Sequence, residues 1–152
     1  MKTMYFEQLR DFCDALISLQ FRGTGDKTLD GAFHCRACHV LHGRNADAVY
    51  PLMVMAKRTG DTKYLDAAKA VFKWGENLVC DDGSVLNDAQ NPWKGITVFA
   101  VIATCEALNC GGDLLDSATR AAWEDRLRGM GKWLYSELDE NYHANINYPV
   151  TN

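Results

Sequence analysis

Three polar helix entrances recur along this chain at an almost constant interval. They stand near Arg44, Lys94 and Asn145, 50 and then 51 residues apart. Each of the first two leads into an apolar helical stretch, a glycine-containing turn and a second amphipathic stretch rich in Trp or Phe. A fixed period of this size, with no strand-like alternation to interrupt it, means stacked αα-hairpins. One hairpin cannot bury its apolar face alone and must lean on the next. The chain is therefore expected to be all-α. A third unit opens with Asn145-Ile146-Asn147-Tyr148-Pro149, and the sequence stops at Asn152. About two and a half hairpins are expected, as a single partial domain over 1–152 of a longer protein.

Residue spacing sets the helices. Phe6, Leu9, Phe12, Cys13, Leu16, Ile17 and Leu19 follow the three-and-four rhythm of an apolar helical face. A second helix is expected over 45–58, with Pro51 either kinking it or sitting harmlessly in its first turn. Gly60 and Asp61 then suit a C-terminal cap and the next N-cap. Further helices are expected over 62–78, 94–108 and 117–138. The third turns Tyr64, Leu65, Ala68, Val71, Phe72 and Trp74 to one face. The fourth is apolar nearly all round, which predicts burial on every side. The fifth points Trp123, Leu127, Met130, Trp133 and Leu134 inward.

Charge removes some functions. Sixteen basic against twenty acidic residues give a net charge of -4, and no Lys- or Arg-rich stripe is present to displace counterions from phosphates, so nucleic acid is not expected as a partner. No uninterrupted run approaches the ~20 apolar residues of a membrane span. Glu7, Arg10, Asp11 and Asp14 break the N-terminal stretch, which therefore does not read as a secretory signal. A chain whose signal had been removed would look the same, so the compartment stays open: periplasmic or secreted in that case, cytoplasmic otherwise. The six cysteines are expected to be mostly reduced thiols, with Cys13 and Cys105 on apolar helix faces.

Three segments could carry chemistry. The first is His34-Cys35-Arg36-Ala37-Cys38-His39 with His42, Arg44 and Asp47. Zinc would find enough ligand atoms here, but a structural site usually draws its second pair from a distant segment. No metal and no cofactor are therefore expected; the thiols are expected to pack, and His42 to face a cleft. The second runs from Asn87 to Gly95. Its Trp93 could stack on a pyranose while amides bind hydroxyls, and Asp88 could serve as an acid or base. Loop turns at Asn87 and Asp88 and a core role for Trp93 are the competing account. The third is His143-Ala144-Asn145-Ile146-Asn147-Tyr148-Pro149. Amide donors at a helix start favour an anion there, and His143 is an acid/base candidate. As plain capping residues they would need no function.

His42-Gly43-Arg44 with Asp47 and Tyr50-Pro51, Trp93-Lys94-Gly95-Ile96-Thr97, and Asn145 to Pro149 together resemble the (α/α)-toroid proteins of carbohydrate degradation. The likeness is to gut-bacterial proteins akin to heparinase II/III-type polysaccharide lyases and six-hairpin glycosidases, from about Gly23 onward. It implies that these hairpins are part of a toroid whose inner helices begin at one rim, and that the rim loops line a substrate cleft. It also implies a poly- or oligosaccharide substrate. Lyase chemistry would use Asn145 and Asn147 to neutralise a uronate carboxylate, supported by His42 or His143. The catalytic Tyr/His pair of such lyases normally lies beyond residue 152. On this reading the candidate catalytic residues are His42, Asp88 and His143, and the candidate substrate-binding residues are Arg44, Trp93, Lys94, Asn145 and Asn147.

Two classes of function follow. One is the N-terminal part of a carbohydrate-degrading enzyme, lyase or hydrolase. The other is a non-catalytic helical-repeat module that binds a glycan or a protein. A truncated array leaves apolar helix faces open, which predicts a homodimer or another chain covering them.

Overall fold

A computed structural model describes residues 2–137. Among them are five α-helices and no named strand: α1 Lys2–Ser18, α2 Val49–Thr59, α3 Thr62–Trp74, α4 Thr97–Gly111 and α5 Ser117–Ser136. The fold is all-α, as the sequence pattern requires. Two isolated bridges, Gln20 with Phe33 and Val79 with Val85, only pinch loops together.

The first hairpin is built at its turn. Gly60 ends α2 in the left-handed conformation (φ 71°), which a residue without Cβ adopts at little cost, and its N–H donates to Ala56 O. Asp61 then caps α3 by accepting from Lys63 N at 3.0 Å. In the second hairpin α4 and α5 pack together, and Asp116 caps α5 by accepting from Thr119 N at 2.9 Å. The two hairpins stack through α2 against α4. α3 and α5 meet where Trp123 lies on Phe72, ring centroids 4.2 Å apart and nearly parallel. α1 leans on α2 and α3, held by a hydrogen bond from Tyr64 OH to Asp14 (2.8 Å) and by the Lys63–Asp14 ion pair (2.9 Å).

The core runs through the centre of this stack. Leu52, Met53, Met55, Tyr64, Val71, Ile96, Trp123 and Met130 are fully buried. Each large apolar side chain removed from water in this way contributes about 1.5–3 kcal/mol before the cost of ordering it.

Several expectations need correction. The second helix begins as a 3-10 segment, Gly43–Ala48, before α2 proper. Pro51 takes the second of its two expected places, the first turn of α2, where the missing N–H does no harm. α4 is not buried all round. Its small residues Ala100, Ala103, Thr104 and Ala107 face the core, while Ile102 is 41% exposed and Cys105 and Glu106 are exposed. Cys105 is therefore on the open side of its helix, and only Cys13 is fully buried as expected. Phe12, expected inward, is 55% exposed, because α1 has neighbours on one side only. The helical run Lys94–Leu114 does meet the length and hydropathy of a membrane span, contrary to the sequence expectation. More than half of that window is buried inside the protein, as in the central helix of a hairpin stack.

Candidate functional site

Two of the polar entrances come together. The first is the 3-10 segment Gly43–Ala48, and the second is the 3-10 segment Lys94–Ile96 that feeds α4. The irregular strip between Val85 and Trp93 lies against the first, with Gly43 N–H donating to Asn87 O at 2.5 Å. The strip is tied to its own end by Asn87 N–H to Trp93 O at 3.0 Å. It is tied to α4 by Val85 N–H to the buried Thr97 hydroxyl at 2.8 Å. Arg44 then reaches from the first entrance across to the second: its guanidinium lies 4.1 Å from the ring centroid of Phe99 in the first turn of α4.

Asp88 anchors this junction. It is only 5% exposed. One carboxylate oxygen accepts from Gln90 N (2.9 Å) and Asn91 N (2.7 Å), the other from the Asn87 side-chain amide (2.7 Å), and His42 Nδ1 stands 3.5 Å from that second oxygen. Burial pushes the carboxyl upward, but the Asn91 and Gln90 N–H groups and the facing imidazole outweigh it, and Asp88 lies below the usual carboxylate range. An acid held ionised by fixed donors is a better anchor than a proton shuttle.

His42 is engaged on both sides. Its Nδ1 faces Asp88, and its Nε2 lies 2.9 Å from Cys38 Sγ. Cys38 Sγ in turn is 3.2 Å from Cys35 Sγ. The Cys35 thiol is held below its ordinary value, first by Cys38 Sγ and then by the backbone N–H groups of Cys38 and Ala37. Nearby, His34 Nε2 and His39 Nδ1 are 3.0 Å apart, and His39 has a positive φ of 58°. The sequence reading separated His42 from the thiols; the structure joins them. The four-residue step from Cys38 to His42 was the available signal, but a loop has no fixed period that would have made it readable.

The remaining candidates divide. Arg44 pairs through Nε with Asp47 Oδ2 at 2.5 Å, spending one of its five donors. Burial raises the Asp47 carboxyl against the lowering effect of Arg44. Lys94 Nζ pairs with Asp82 at 2.6 Å; that lysine first, then Ser84, brings Asp82 down to about 2. Trp93 is 40% exposed rather than in the core, with its ring over Gly95. His143, Asn145 and Asn147 lie outside the described residues. A larger cleft, about 650 Å³, sits elsewhere between the 21–31 loop and α3, lined among others by Phe21, Arg22, Lys27, Lys73 and Trp74. Nothing in the sequence period pointed to it.

The family described as the ulvan lyase N-terminal domain matches residues 9–152. A broad-specificity ulvan lyase from Formosa agariphila is 38% identical over 152 residues, covering 99% of this chain and 24% of the relative. The chain thus spans about a quarter of that relative's length. No solved structure matches.

Proposed function

This chain belongs to the ulvan lyase N-terminal domain family, and on that premise we propose that it is the substrate-binding N-terminal part of a polysaccharide lyase. Its substrate on this reading is a uronate-containing polyanion such as ulvan, and its two hairpins are part of an (α/α) toroid. Family membership favours lyase over hydrolase chemistry. In uronate β-elimination a donor neutralises the carboxylate and a base removes the C5 proton. The C4–O bond then breaks, a C4–C5 double bond forms, and the departing oxygen takes up a proton.

The observation that carries the reading is the junction of the two entrances, where Arg44 lies over Phe99 and Gly43 is bonded to Asn87. On this reading two cations and an exposed indole stand on neighbouring segments of one rim. Arg44 and Lys94 would meet carboxylates along the polymer, and Trp93 would stack on a sugar face. We assign His42 and Asp88 to holding the rim in shape, since both ring nitrogens of His42 face partners and Asp88 is buried among donors. Asn145 and Asn147 as carboxylate neutralisers, with His143 as an acid/base group, complete the proposal.

The test is affinity electrophoresis in gels containing ulvan, comparing the chain with a doubly substituted Arg44→Gln, Lys94→Gln variant. Both ion pairs are partly exposed, so their loss leaves the core packing in place, which circular dichroism checks. Ulvan is expected to retard the unsubstituted chain and to bind the variant about tenfold more weakly, which is about 1.4 kcal/mol. Equal retardation of the two, or equal retardation by a neutral glucan, would refute the assignment.

A further inference from the structure

The loop before the first entrance brings two sulfurs and an imidazole to one point. The Sγ atoms of Cys35 and Cys38 and a ring nitrogen of His42 all lie within 4.8 Å of one another. We propose that Cys35, Cys38 and His42 bind a zinc-like divalent cation, with Asp88 orienting the imidazole from behind. The inference goes beyond the lyase reading and stands apart from it.

The donor set is chemically specific. Two thiolates and one imidazole suit a borderline-soft, tetrahedral ion and are poor ligands for magnesium or calcium. Around such an ion, Zn–S bonds of ~2.3 Å place neighbouring ligand atoms about 3.5–3.8 Å apart. The observed separations, 3.2 Å for the sulfurs and 2.9 Å for Cys38 Sγ to His42 Nε2, need about 0.6 Å of opening each, which side-chain rotation in an exposed loop can supply. His39 N–H donates to Cys35 O at 2.9 Å and closes the turn that carries both sulfurs.

The surroundings of His42 are the independent observation. A metal-bound histidine usually gives its other ring N–H to a carboxylate, which fixes the tautomer and turns the free nitrogen toward the ion. His42 Nδ1 faces buried Asp88 at 3.5 Å, and Nε2 is turned to the sulfurs. Sequence spacing argued against zinc because no distant ligand pair was in view. The fold supplies what spacing concealed: the distant partner is Asp88, behind the ligand. Three protein ligands leave a fourth position for water or a ligand oxygen, the arrangement of open zinc sites.

The experiment is metal analysis of the freshly purified chain, followed by cobalt substitution of the stripped protein. The expected result is a single equivalent of bound metal and a thiolate-to-cobalt charge-transfer band. Cys38→Ser should abolish the band, Asp88→Asn should weaken metal affinity about 10–100-fold, and Cys105→Ser should change neither. Cys38 is exposed, so its replacement leaves the core intact, which circular dichroism checks. The proposal is overturned by a chain that takes up no cobalt with thiolate character. It is also overturned by binding indifferent to Cys38→Ser, or by a Cys35–Cys38 disulfide in the freshly prepared protein.

Discussion

Replacing Gly43 with alanine is expected to destabilise the chain by about 2–3 kcal/mol and to pull the two helix entrances apart. A Cβ at this position would stand 2.4 Å from Leu86 O, 3.1 Å from Asn87 O and 3.2 Å from Ile96 Cδ1. The first two are backbone atoms and cannot swing aside as the end of a long side chain could. Any relief must stretch the Gly43 N–H to Asn87 O bond and carry the 85–93 strip away from His42. The loss of stability should therefore come with a loss of polysaccharide binding and of metal affinity. Urea unfolding measures the first, and the two binding assays described above measure the others. Gly131→Ala is the matched control. It lies within α5 with nothing near its missing Cβ, and alanine there should stabilise by about 0.5–1 kcal/mol. A Gly43→Ala chain as stable as the parent, with both binding functions intact, would mean that the entrances are not locked together.

Trp123→Ala is expected to be the most destabilising single replacement outside the junction, at about 3–5 kcal/mol. Trp123 is fully buried and stacked on Phe72. The same Phe72 ring takes the Arg126 guanidinium 3.8 Å from its centroid, while Arg126 also donates to Phe72 O and to Glu76 at 3.0 Å. Burial draws the Arg126 pKa down to about 10 against the opposing pull of Glu76, so the cation stays charged at neutral pH. Removing the indole opens a cavity beside a largely buried cation, and the joint between α3 and α5 loses its packing and its electrostatic frame together. Thermal unfolding should show a single transition at a much lower midpoint. Trp93→Ala should behave in the opposite way. Its ring is 40% exposed, so stability should fall by less than about 1 kcal/mol while ulvan binding weakens.

Local rules were legible wherever a residue needs only its neighbours in sequence. The Gly60–Asp61 turn, the cap at Asp61 and the inward face of α3 all follow from backbone chemistry and helical spacing. Periodicity also brought the first two entrances together in prospect, and the Arg44–Phe99 contact is where they meet. What spacing does not encode is how many neighbours a face acquires. Phe12, Ile102 and Cys105 lie on apolar stretches yet are exposed, because α1 has neighbours on one side only and α4, held between α2 and α5, still leaves one side open. The link from Cys38 through His42 to Asp88 was hidden for a related reason. It closes across 46 residues between two irregular segments, and neither segment has a period to extrapolate. Glycines with close backbone neighbours, such as Gly43, are equally silent until the second segment is in place.

The central claim is that the joined entrances, and not the larger cleft beside α3, receive the sugar chain. The chain's four tryptophans make this directly measurable, since their indole N–H resonances can be followed one by one as a uronate oligosaccharide is added. Trp93 lies exposed at the second entrance, Trp74 lines the competing cleft, and Trp123 and Trp133 are buried. The account predicts that the Trp93 resonance shifts saturably while the other three stay in place. Movement of Trp74 with Trp93 unchanged would put the sugar in the other cleft and contradict it, as would four resonances that do not respond.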